Sequence, residues 1–172
     1  MRLFFALWPD NDVRNELASI GRTCLGVCRG RLVPAKSLHV TLAFLGELDA
    51  HRLQALGRIG DSLRPPCFTI AFDRIGFFRR RGVVYAGMSE ASAPLAELAA
   101  QARSALAAAG FRTESGRFVP HVTLIRDARA APPSDLLDVR VMWQVRHIVL
   151  VESARGPDGQ VYRPVLRFML AP

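Results

Sequence analysis

The chain has 172 residues and a mass of 19.0 kDa, with half of its residues hydrophobic and 22% charged, the composition of one folded domain or of two small lobes sharing a core, and not of a disordered chain. Its formal charge is +8, from 23 basic against 15 acidic residues, and Lys36 is the single lysine among the 23. Such an arginine excess fits either a GC-rich coding sequence or a polyanionic partner met through bidentate guanidinium–phosphate contacts, while the lack of any apolar run near the ~20 residues of a membrane helix argues against a spanning protein.

In chain order, residues 3–8 are apolar throughout and stop at Pro9, which reads as a buried strand. The stretch is too short for a signal peptide, and Pro9, Asp10 and Asp12 follow where small residues would be needed for cleavage. Asp10 or Asn11 caps a helix with the stripe Val13, Leu17, Ile20, Cys24 and Cys28. With Cys67, the last two make an odd, low cysteine count that points to a reducing, cytoplasmic compartment without a disulfide framework. No histidine pair lies near Cys24 and Cys28, so they read as core thiols and not as zinc ligands. Residues 38–45 have strand character and Gly46 ends them. Asp49 starts a second helix with Leu53, Leu56 and Leu63 on one side, stopped by Pro65 and Pro66. Residues 68–78 and 83–88 are β-rich runs joined by the hairpin loop Arg79, Arg80, Arg81 and Gly82. Ser92 caps a third helix, which Pro94 opens and Gly110 closes. Residues 119–125, 141–151 and 161–170 form three more strands. A proline-containing linker over 131–134 separates the first two, and Gly156-Pro157-Asp158-Gly159 turns the last two into a hairpin. Interspersed helices and frequent hairpins favour an antiparallel α+β fold over a doubly wound parallel sheet.

One feature stands out from this background. His39-Val40-Thr41-Leu42 recurs as His121-Val122-Thr123-Leu124, one copy in each half. A single H-x-T arises by accident roughly once per thousand positions, but two copies of one tetrapeptide in two predicted strands signal an internal duplication. On a strand, His39 shares a face with Thr41, and His121 with Thr123, while Val40, Leu42, Val122 and Leu124 turn to apolar packing. Two imidazoles and two hydroxyls across a cleft suit displacement at phosphorus, which needs a base on the attacking side and an acid on the leaving side. Histidine supplies both near neutral pH, and threonine hydroxyls orient the phosphate oxygens. The sequence carries no metal-ligand cluster and no phosphate-cradling glycine loop, so the chemistry is expected to need no metal or other cofactor. His51 and His147 lack the threonine two residues on and read as structural or surface residues.

These paired motifs resemble those of the 2H phosphoesterase superfamily. More closely, the chain resembles the bacterial and archaeal RNA 2′,3′-cyclic phosphodiesterases, the 2′-5′ RNA ligase family, nearly end to end. The resemblance runs through Arg2 to Leu7, Val33-Pro34, Phe44-Leu45-Gly46, Pro120 and Arg126, then Glu152-Ser153, Gly156-Pro157 and Tyr162. It implies one 2H phosphoesterase domain over residues 1–172, built as two interleaved, pseudo-symmetric lobes. Each lobe is an antiparallel sheet with outer helices, and the two H-x-T motifs line a central cleft. The implied activity is metal-independent hydrolysis of 2′,3′-cyclic phosphate RNA ends to a 2′-phosphate, with reversible 2′-5′ joining of RNA ends besides. His39 and His121 would be catalytic, with His121 assigned as base and His39 as acid, a pairing that pseudo-symmetry lets exchange. Thr41, Thr123 and Arg126 would bind phosphate. Phe44 would lie near the base, although strict alternation from His39 places it on the opposite face unless a bulge turns it. The family commonly has a tryptophan where Leu32 stands and an acid where Lys36 stands, which bears on how RNA enters. Partners would be RNA ends, tRNA-like fragments among them, or small cyclic nucleotides, with no membrane and no second copy required, hence a monomer. Different classes of reading are an activity on a small cyclic nucleotide and a non-catalytic RNA-binding module.

Overall fold

The computed structural model describes residues 1–114, 116–132, 139–156 and 159–172. In chain order the elements are β1 (Arg2–Leu7), α1 (Asn11–Cys28), β2 (Arg31–Leu32), β3 (Val40–Glu47), α2 (Leu53–Ser62), β4 (Phe68–Phe72), β5 (Arg74–Phe78), β6 (Val83–Gly87), α3 (Ala93–Ala108), β7 (His121–Arg126), β8 (Val141–Val145), β9 (His147–Gly156) and β10 (Gly159–Met169). The fold is α+β, and every ladder between these strands is antiparallel.

β1 is apolar on both faces because both are covered. Leu3, Phe5 and Leu7 enter the main core, while Phe4, Ala6 and the following Trp8 form a second cluster with Val149 and Val151, the two-residue period sorting them. β1 lies within the large sheet, whose order is β10-β9-β1-β3-β7-β6-β5, with β2 also paired to β7. The halves that carry the two motifs meet at the β3–β7 neighbourhood, where the ladder has one residue pair, Val40 opposite Val122. Upstream, Arg31 and Leu32 pair with Arg126 and Ile125, and the Val33 amide donates to the Leu124 carbonyl at 2.9 Å. The chain thus follows one edge of β7, leaves it at Pro34 for a short 3₁₀ turn over Ala35–Ser37, and returns at Val40. That excursion opens the seam beside His39.

Helices cover the core side. α1 packs on β7 and β8, α3 on β3, and α2 on α3 and β10. The Asp10 carboxylate accepts the Val13 amide at 3.1 Å and caps α1, and the Ser92 hydroxyl accepts the Leu95 amide at 3.4 Å and caps α3. Cys24 and Cys28 are buried, and burial pushes both thiols up, as core thiols require.

Four features differ from the sequence reading. The run 68–78 breaks at Asp73 into β4 and β5, and 141–151 breaks at Arg146 into β8 and β9. One piece of each run, β4 and β8, pairs in a separate two-stranded sheet. The breaks fall where a polar side chain finds local partners: Asp73 accepts the Ser89 amide at 2.7 Å, and Arg146 donates to Gln144. Asp49 caps nothing with its side chain and precedes a 3₁₀ turn, Ala50–Arg52, before α2 begins. β2 is too short for a periodic signal. Of the linker and turn expected at 131–134 and 156–159, residues 133, 134, 157 and 158 lie outside the described residues.

Close packing of α2 on β10 depends on Gly60, where an added Cβ would stand 2.4 Å from the Phe168 ring. Gly60→Ala should destabilise the fold by about 1–3 kcal/mol through overpacking, read as a lower midpoint in urea or thermal unfolding. An unchanged midpoint would show that the helix and strand are not in this contact.

Candidate active site

The two motifs begin the strands that form the seam: His39 immediately precedes β3, and His121 is the first residue of β7. Antiparallel pairing centred on Val40 and Val122 carries His39 toward Thr123 and Thr41 toward His121. The four polar side chains therefore come from adjacent strands of one sheet, related by a local two-fold. Beneath them Val40, Leu42, Val122 and Leu124 are buried, at 0%, 3%, 0% and 1% exposure.

Each imidazole is anchored in the same way. His39 Nδ1 lies 2.7 Å from the Ser37 carbonyl and His121 Nδ1 lies 2.8 Å from the Val119 carbonyl. A carbonyl only accepts, so Nδ1 carries the proton in both rings, and Nε2 is left as the nitrogen able to take or give one. Aromatic rings wall both histidines. Trp8 stacks on His39 at 5.5 Å and 9°, with Phe4 at 5.0 Å and Tyr162 edge-on at 4.9 Å. Phe78 and Tyr85 stand edge-on to His121 at 5.1 and 5.4 Å. Tyr85 leans over its cross-strand partner Gly76, where any Cβ would meet its ring at 2.2 Å.

A repeated irregularity brings the remaining residues to this face. In β3, Thr41 is opposite Ala6 and Ala43 opposite Phe5, so Leu42 is an extra residue; in β7, Thr123 is opposite Tyr85 and Ile125 opposite Val84, so Leu124 is the extra one. Each bulge follows the motif threonine directly and reverses the alternation beyond it. Phe44 then pairs with Phe4 and joins the cluster beside His39, which resolves the conflict with strict alternation. Arg126 is turned off the core face in the same way, while Ile125 is fully buried. Phe44 and Arg126 are each the fifth residue after their histidine, equivalent positions in the two halves. Arg126 Nη2 donates to the Tyr162 hydroxyl at 3.5 Å, which ties the second motif to β10.

Burial pushes His39 down to about 4, with the positive charge of Arg126 and the neighbouring His121 acting in the same direction and the Ser37 carbonyl opposing. His121 is also lowered, first by burial and then by Arg126 and Arg81, against the Val119 carbonyl. Thr41 and Phe44 line a groove of about 670 Å³ together with His121, while His39, Thr123 and Arg126 lie outside its lining. Among the described residues no group of three or more His, Cys, Asp or Glu side chains is placed to hold a metal ion. His51 is exposed, and His147 is half-buried at the start of β9, where that strand runs beside β1. Sequence reading did not single out Phe4, Trp8, Phe78 or Tyr85 for the site. They reach it from other strands, Phe4 and Trp8 from β1 and the residue after it, Tyr85 from β6 and Phe78 from the end of β5, and the one sequence signal is the period-two spacing of Phe4 and Trp8.

The sequence model of the 2′-5′ RNA ligase superfamily matches residues 9–157. The chain belongs to that superfamily. It is 34% identical over 169 residues to the RNA 2′,3′-cyclic phosphodiesterase of Escherichia coli K12, covering 98% of this chain and 96% of the relative. It is 33% identical over 181 residues to the protein of the same name from Thermus thermophilus, covering 99% and 90%. The crystal structure of E. coli LigT complexed with 3′-AMP superposes with a TM-score of 0.89 at 32% identity, over 99% of this chain and 98% of that one. A more distant structure, the MHV ns2 PDE domain, shares the fold at a TM-score of 0.64 and 13% identity.

The electrostatics are open to direct measurement. In an NMR pH titration His39 should titrate near 4, far below the ordinary value of about 6.5. Arg126→Gln should move both His39 and His121 upward, because a positive neighbour is removed. Since the unfolded chain binds a proton that folded His39 does not, native stability should fall as pH drops from about 6.5 toward 4. A His39 midpoint above 6, or one indifferent to Arg126, would contradict this arrangement.

Proposed function

We propose that this chain is a hydrolase of phosphodiesters that opens 2′,3′-cyclic phosphate ends of RNA to a 2′-phosphate, with no metal or other cofactor, by proton transfer through His39 and His121. The observation that carries the reading is the twice-built imidazole: same motif, same carbonyl anchor on Nδ1, same free Nε2. Curated relatives that match nearly end to end bear the name RNA 2′,3′-cyclic phosphodiesterase, which selects the substrate class.

In the reaction a water oxygen bonds to phosphorus as the P–O3′ bond breaks on the far side. His121 Nε2 takes the proton from water, and His39 Nε2 gives one to the departing 3′ oxygen. Thr41 and Thr123 donate to the non-bridging oxygens, and Arg126 balances the charge that gathers there. Phe44 stands at the rim for the terminal base. His39 is neutral in the free site at neutral pH; the bound phosphodiester anion favours its imidazolium, so proton uptake accompanies substrate binding. With a ribose 5′-hydroxyl in place of water, the same two groups join RNA ends in a 2′-5′ linkage. The site needs one copy of the chain, and the three free thiols suit a reducing cytoplasm.

His39→Ala and His121→Ala should each lower turnover of 2′,3′-cyclic AMP by about 10²–10⁴-fold, and the double variant should cost less than the product of the two. Near-wild-type turnover by either folded variant would end the two-histidine mechanism. Chromatography should show 2′-AMP; 3′-AMP would mean the substrate sits the other way round and the acid and base exchange. Activity should survive excess EDTA, and its loss with recovery on adding a divalent ion would reveal a metal.

The pH profile follows from the lowered histidines. The kcat/KM bell, which reports the free enzyme, should have its optimum on the acid side of about 6.5, with both apparent pKa values belonging to the pair. The kcat bell should lie higher, because bound phosphate raises both rings. Coincident bells would remove the coupling between substrate charge and His39.

A further inference from the structure

The groove that begins at Thr41, Phe44 and His121 continues well past the space one cyclic phosphate needs. Its volume of about 670 Å³ is in the range of clefts that bury whole ligands, about 300–1,000 Å³. Five arginines line it: Arg79, Arg80 and Arg81 from the β5–β6 turn, Arg103 from α3, and Arg117. Glu114 is the one acid among its lining residues. Among the described residues the ion pair of the chain is Arg31–Asp127, outside this lining, so none of the five is neutralised by a carboxylate.

The fold fixes the backbone of the arginine turn and the side chain of Arg103. Arg79–Arg81 form a 3₁₀ turn closed by Gly82 at φ 57°, with the Gly82 carbonyl accepting the Ala128 amide at 2.8 Å. Arg103 donates to the carbonyls of Ala99 and Gly116, each at 3.3 Å, and lies 5.2 Å over the Phe118 ring. Rings punctuate the groove between these charges: Phe44, Phe78 and Phe118 all line it. Interleaved guanidinium groups and phenyl rings are what a single nucleic-acid strand requires, since the charges follow the phosphates and any base stacks on a ring.

We infer that this groove is a track for the nucleotides that precede the cyclic phosphate in a single-stranded RNA, entered from the His121 end of the site. The inference rests on the phosphodiesterase reading above and adds to it a preference for oligonucleotide over mononucleotide. Arg80, Arg103 and Arg117 hold backbone phosphates of the strand and do not touch the reacting phosphorus. Arg81, which acts on His121, is left out of the test for that reason.

The experiment compares 2′,3′-cyclic AMP with a single-stranded RNA pentamer ending in a 2′,3′-cyclic phosphate, on wild-type protein and on the triple variant Arg80→Gln, Arg103→Gln, Arg117→Gln. Wild type should favour the pentamer by about tenfold or more in kcat/KM, and the triple variant should lose most of that preference through KM. Turnover of cyclic AMP by the variant should stay within about twofold of wild type. In parallel, binding of a fluorescent pentamer with a plain 3′-hydroxyl is followed against salt. Each phosphate contact contributes about 0.7 to the slope of log K on log salt for single strands, so the variant's slope should be shallower by about 2. An unchanged slope and an unchanged substrate ratio would overturn the track, as would tighter binding of a duplex of the same sequence. Wild-type failure on both cyclic substrates would refute the catalytic reading alone, since the binding arm still decides the groove.

Discussion

The architecture turns on how little joins β3 to β7. A normal ladder between the motif strands would bring their backbones together along their length and fill the space between with cross-strand side chains. Here one pair, Val40 and Val122, closes the sheet, and the edge of β7 beyond it is occupied by Arg31 to Val33. Between the two contacts the chain steps aside over Pro34 to Leu38. The step lets a carbonyl reach back to a ring nitrogen at His39, and Val119 does the same ahead of His121. Sheet continuity holds the two halves in register, and the interruption sets both imidazoles at the seam between them.

Placing titratable groups at such a seam has an electrostatic result. The walls are aromatic, so water is scarce around His39 and the neutral ring is favoured; Arg126 adds to this by sitting within reach of both histidines. The resting site is therefore a neutral, proton-poor pair beside a fixed cation, which is poised for an anion. A phosphodiester bound there, as proposed, would offset the charge of Arg126 and shift both histidines upward.

Much of this was legible in the sequence, and the limits are instructive. The helix caps at Asp10 and Ser92 and the hairpin around Gly82 are local chemistry, and the structure has them where the residues indicated. The duplicated tetrapeptide indicated four polar side chains that the structure gathers on one face of adjacent strands, because its spacing matches the strand period. Beyond the threonine that period misleads. Counting by two from His39 sends Phe44 into the core, and the same count from His121 sends Arg126 there and Ile125 to the site. The bulges directly after the motif threonines, at Leu42 and Leu124, correct both, and a bulge is a property of a strand pair that no single strand announces. The same reason hides the aromatic walls and the breaks at Asp73 and Arg146, since each depends on which distant strand lies alongside.

The near-total use of arginine in place of lysine has a consequence for regulation by acidity. A guanidinium group keeps its charge throughout the range in which proteins stay folded, so the positive lining of the groove is constant while the imidazoles beside it gain and lose protons. Attraction for a polyanion and competence for chemistry thus sit on separate titration scales. Raising the pH would therefore change the protonation of the two histidines and leave the charge of the groove as it is.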